Sequence, residues 1–84
     1  MQQEDRFGQL SAILAEMTGN DINDIHLDST LLDDLGITEE SDLPRIVKRV
    51  NKEFEIHLDQ MAVAEEVETV ENLLTMITDE AELG

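Results

Sequence analysis

Apolar Phe7, Leu10, Ile13, Leu14 and Met17 recur at steps of three and four residues near the start of the chain. This spacing predicts an amphipathic helix over about 4–17 with one buried face, stopped by Thr18-Gly19-Asn20. The next stretch, "NDINDIHLDSTLLDDLGI", holds no helical period. Ile22, Ile25, Leu27, Leu31, Leu32, Leu35 and Ile37 can still pin it to a core, as a long ordered loop of the kind that often carries function.

The helical period returns with Leu43, Ile46, Val47, Val50 and Phe54, predicting a second helix over 42–54. Pro44 limits its start, because proline is tolerated in a first turn and costs about 3 kcal/mol in a helix interior. With Ser41 as N-cap the proline falls at the third helical position, whereas a cap at Thr38 would set it deeper in the ladder. Ser41 is therefore the expected cap. "EIHLDQMAVAEEV" reads as a loop with about one turn of a small helix, and Val70, Leu73, Leu74 and Ile77 predict a last helix over 69–78. "DEAELG" is the expected frayed tail. The pattern is all-α: a single domain over 1–84 with its core in about 4–78, three main helices, one short helix and a long first loop.

Eighty-four residues hold one small core and leave little room for an enclosed active site. Two phenylalanines are the only aromatics, so Leu, Ile, Val, Met and Ala must fill that core, which favours helices over a β-sandwich. With no cysteine there is no disulfide, thiolate zinc site or cysteine nucleophile. No apolar run approaches a membrane span, and "MQQEDRFGQL" lacks a basic start and a hydrophobic stretch, so the expectation is a cytoplasmic, soluble protein with no membrane partner. A net charge of −16 predicts a monomer that avoids nucleic acid and meets basic protein surfaces.

Three segments, in order, resemble the acyl carrier protein family and its peptidyl carrier relatives. "GNDINDIHLDSTLLDDLG" is similar to the family's first loop, with its glycine, spaced aliphatic anchors, acidic "D-S" and closing "D-L-G". "RIVKRVNKEFEIHLD" looks like the helix after the attachment serine, with its terminal E-F and I-x-L, and "VETVENLLTMI" resembles the last helix. The resemblance extends over about 7–77. The resemblance implies an acyl-carrier-like four-helix bundle bearing covalent 4'-phosphopantetheine on a serine after the "D-L-G" turn. In that arrangement the phosphodiester meets unpaired N–H groups and the positive dipole at a helix N-terminus. The carrier is not an enzyme. It holds an acyl or related group as a thioester for fatty acid or polyketide biosynthesis, and its partners are a phosphopantetheinyl transferase and acyl-processing synthases or transferases.

The match carries two departures. In the family's "D-L-G-x-D-S-L" the serine follows the glycine by three residues, but here the nearby serine, Ser41, follows Gly36 by five. Counting back from Phe54, the family's serine position falls on Glu40, and Ser41 is rotated from it by about 100°. Ser41 is the expected cofactor attachment site, with Glu40 keeping an acid beside it; its competing role is to cap the helix. The second departure is charge. Arg45, Lys48, Arg49 and Lys52, four of the five basic residues, share a face of a helix that is typically acidic in the family. With Glu40 they are the expected partner-binding residues, and the helix should recognise an acidic surface. The alternative for these bases is to offset neighbouring carboxylates within the fold. An alternative function follows: a carrier-like adaptor without a prosthetic group, acting through the basic helix.

Acidic clusters at Asp21/Asp24, Asp28, Asp33/Asp34 and Glu65/Glu66 do not match D-x-[DN]-x-[DN]-G-x5-E, so an EF-hand is excluded and no metal site is expected, only diffuse cation binding. His26 and His57 read as surface loop residues, and Met17, Met61 and Met76 as core filler. No set of nucleophile, base and electrophile is visible. Mimicry of nucleic acid by the carboxylates ranks below the carrier reading, since it uses neither the basic helix nor the first-loop pattern.

Overall fold

In the computed structural model, which describes the backbone of residues 2–83 and the side chains of residues 6–82, Gly19 ends the first helix in a left-handed conformation. Its φ is 79° and its N–H donates to the Ala15 carbonyl at 3.0 Å, so α1 (Gln2–Thr18) stops at the Thr-Gly-Asn triplet. A short 3-10 turn, Ile22–Asp24, opens the long loop 1 (residues 19–41). Three more helices follow: α2 (Asp42–Phe54), α3 (Gln60–Glu66) and α4 (Val70–Leu83). The described residues form an all-α bundle of four helices with no strand, only an isolated antiparallel bridge between Thr30 and Thr69. α1 packs on both α2 and α4, and α3 packs on α2.

Every buried hydrophobic residue among those described is Leu, Ile or Val, from Leu10, Ile13 and Leu14 of α1 to Leu73, Leu74 and Ile77 of α4. The two phenylalanines, Phe7 and Phe54, only flank this core. The radius of gyration, 11.4 Å, is close to the ~12 Å of a compact chain of this length, so loop 1 is folded onto the bundle. Its backbone explains how. The first two N–H groups of α4 have no partner within their helix, and here Val70 N–H donates to the Ser29 carbonyl and Glu71 N–H to the Leu27 carbonyl, both at 2.9 Å. In return Leu31 N–H donates to the Glu68 carbonyl at 3.0 Å. Asn20 closes the other side, its amide donating to the Leu35 carbonyl at 3.0 Å and to Thr18 Oγ1 at 2.8 Å.

Four details correct the sequence pattern. Of the loop's aliphatic residues, Ile25, Leu31, Leu35 and Ile37 are buried, but Ile22, Leu27 and Leu32 remain 45%, 41% and 50% exposed; burying the four and closing the bridge to α4 turns the other three outward. The third helix is seven residues long rather than one turn, because Asp59 caps it by accepting from Met61 N–H. Met61 is 70% exposed and is not core filler, whereas Met17 and Met76 do pack against the core. The tail does not fray after Thr78: α4 continues to Leu83, with Ala81 against the core and Glu82 paired to Arg6 at 3.6 Å.

α2 ends without glycine. Glu55 itself is left-handed, at φ 56°, and the N–H of Ile56 reaches back to the Asn51 carbonyl at 3.0 Å. The Asn51 amide then grips the following segment, accepting from Leu58 N–H at 2.8 Å and donating to the Leu58 carbonyl at 3.2 Å. This fixes where α3 starts.

Candidate functional site

The entry to α2 is built from one motif used twice. In the first instance Thr30 Oγ1 accepts from Asp34 N–H at 3.1 Å while the Asp34 carboxylate accepts from Thr30 N–H at 2.8 Å. In the second, Thr38 Oγ1 accepts from Asp42 N–H at 3.2 Å and the Asp42 carboxylate accepts from Thr38 N–H at 3.3 Å. Each is a reciprocal cap between residues four apart. After the first, Gly36 at φ 71° turns the chain and Ile37 is buried, its N–H donating to the Leu31 carbonyl at 2.9 Å. After the second, the chain runs on into α2.

Ser41 holds the N-cap position expected of it, but its side chain does not do the capping. The helix does begin at Asp42, but Ser41 lies in helical conformation (φ −111°, ψ −50°) and its side chain makes no cap hydrogen bond. Thr38 caps instead. Pro44 is no obstacle, since the Thr38 carbonyl accepts from both Asp42 N–H at 3.0 Å and Leu43 N–H at 2.9 Å, so the missing proline donor leaves no gap in the first turn. The same bonds set which backbone donors at this entry are open. The N–H groups of Asp42 and Leu43 are occupied and Pro44 has none. Those of Glu39, Glu40 and Ser41 carry no hydrogen bond within the described residues, so the open donors lie just ahead of the Ser41 hydroxyl rather than beyond it. The Thr-x-x-x-Asp spacing permits this geometry but does not by itself choose Thr38 over Ser41.

Glu40 and Ser41 are both exposed in the turn before α2. Ser41, Arg45, Lys48 and Lys52 follow at steps of four, three and four along one exposed line, opposite the buried Leu43, Ile46, Val47 and Val50. Arg45, Lys48 and Lys52 form no ion pair among the described residues. Arg49 stands apart: its guanidinium donates to Glu16 on α1 at 3.0 Å and to Glu53 at 3.3 Å. The hydrogen bond that Arg49 donates to Glu16 and the charge of that carboxylate, reinforced by Glu53, raise the Arg49 pKa above the ordinary arginine value. Arg49 thus ties α1 to α2 and is withdrawn from the basic face.

No family model and no curated protein matches this chain.

A groove that the sequence pattern did not reveal lies between loop 1 and α3. It has a volume of about 290 Å³ and a floor of Leu32, Ala64 and Val67. An adjoining crevice against Leu31, Ile37, Leu43 and Val63 holds only about 20 Å³, room for about one water. The acidic clusters expected to bind cations only diffusely form no group of three or more metal-ligating residues among those described. His26 and His57 are exposed in loops, as expected.

Proposed function

We propose that this protein is a carrier in which Ser41 bears 4'-phosphopantetheine and presents an acyl or related group to biosynthetic enzymes. The observation that carries the reading is the state of Ser41, an exposed hydroxyl in the turn leading into α2 with no capping duty. The order of four helices behind a long, pinned first loop agrees with it. The surroundings suit a phosphodiester: open N–H groups at Glu39, Glu40 and Ser41 precede it, and Arg45 stands one turn further on, where helical side chains lean back toward the N-terminus. When bound, the group supplies a thiol that this cysteine-free chain lacks. Glu39 and Glu40 keep the same turn acidic, and the transferase must accommodate that charge beside its target.

The test is incubation with coenzyme A and a broad-specificity phosphopantetheinyl transferase, followed by intact mass and mapping of the adduct. An adduct on Ser41, absent from Ser41→Ala, is the expected result. An unmodified protein beside a modified control carrier, with a dedicated transferase also failing, would remove the carrier reading.

The runner-up, an adaptor without prosthetic group, is favoured by one observation: Arg45, Lys48 and Lys52 form a basic line, without an ion pair among the described residues, on a strongly acidic molecule. Such a line suits an acidic partner surface. Reversing Arg45 and Lys48 to glutamate should weaken partner capture while leaving the fold intact, because both are exposed. Arg49→Glu is a poor probe, since it also breaks the α1–α2 tie.

A further inference from the structure

We propose that the groove between loop 1 and α3 is a docking site for a basic, amphipathic peptide segment of a partner protein, which inserts one aliphatic side chain against Leu32, Ala64 and Val67. The inference does not rest on the carrier reading. Leu32 is half exposed although the loop around it is pinned by buried neighbours and by the bridge from Thr30 to Thr69, just ahead of α4. At about 290 Å³ the groove sits at the lower edge of the range of ligand pockets and has room for an anchoring side chain.

The chemistry of the partner follows from the rim. Asp33, Glu39, Glu65, Glu66 and Glu68 surround the apolar floor, and no basic residue lines the groove. A second hollow of about 230 Å³ shares Glu66 and Val67 and continues to Met76 and Asp79, again without a base. A leucine flanked by lysines or arginines complements this surface in both shape and charge. The acids are also placed at the fold's expense. Glu65 and Glu66 occupy the last turn of α3, which holds no basic residue, and there they oppose the helix dipole. Lysine at either position would suit the isolated protein better, the pattern expected where a surface is kept for binding rather than stability.

The test uses a short Lys/Ala peptide bearing one central leucine, titrated at about 0.15 M salt, where the screening length is about 8 Å. Amide shifts should move at residues 30–33, 39 and 64–68. Replacing the peptide's leucine by serine should weaken binding about tenfold, the effect of one lost aliphatic anchor. Glu66→Lys should weaken binding severalfold while raising the thermal midpoint, a pair of changes that misfolding cannot produce. Leu32→Ser should weaken binding without loss of helix, and Ser41→Ala should bind like the parent. The proposal is overturned if the shifts spread over the whole acidic surface, if the serine peptide binds equally well, or if Asp21→Lys with Asp24→Lys, outside the groove, weakens binding as much. Concentration-dependent dimerisation lost in Leu32→Ser would assign the groove to a second copy and overturn it too.

Discussion

Thr38 and Ser41, three positions apart at the same helix entry, divide the work that a single serine was expected to do. Thr38 holds the chain's entry to α2 through its hydroxyl, its N–H and its carbonyl, while Ser41 contributes no cap bond. Thr38→Ala should therefore cost about 1 kcal/mol of stability, the usual value of a lost cap, and Ser41→Ala almost nothing, both read by urea unfolding. An equal loss in the two variants would mean that Ser41 supports the helix after all. Glu55 offers the opposite case. It occupies a left-handed conformation that suits glycine, at the end of a helix where a carboxylate faces the negative pole of the dipole. Glu55→Gly should raise stability by up to about 1 kcal/mol, with an unchanged or lowered midpoint counting against this account of the turn.

Among the elements, α2 was legible because its apolar residues keep a clear period, and both of its boundaries agree with the sequence pattern. α3 was harder. Seven residues hold too few turns for a period to stand out, and its existence depends on the Asp59 cap and on the Asn51 grip that delivers the chain to it. The basic face of α2 was only partly legible. Periodicity places Arg45, Lys48, Arg49 and Lys52 together, but Glu16 lies on another helix, and only the packing of α1 against α2 brings it to Arg49. Glu16→Gln should release Arg49 to the exposed face. It should lower the thermal midpoint slightly, and less at high salt, as a screened surface pair requires.

Charge sets the behaviour of the whole molecule. Sixteen net negative charges on a compact body repel one another, so raising sodium chloride should raise the thermal midpoint. The described carboxylates form no metal cluster, and divalent ions should act by diffuse neutralisation. Magnesium is expected to raise the midpoint further than sodium chloride of matched ionic strength, by calorimetry, without saturating at one equivalent. A sharp one-equivalent transition would point to a discrete site instead.

The candidate site shows where local pattern stops being informative. By itself the sequence determined the helical class, the faces of α1, α2 and α4, the glycine stop at Gly19, the basic line on α2 and an exposed serine near its start, because each depends on residues within a few positions of one another. Tertiary structure alone decided which loop aliphatics point inward, that Thr38 rather than Ser41 caps α2, that Arg49 belongs to the α1 contact, and that Asp33 and Glu39 of loop 1 meet Glu65, Glu66 and Glu68 around an apolar floor. Those features are contacts between distant segments, or choices among local hydrogen bonds that the packed neighbours settle, and residue spacing along the chain does not encode them.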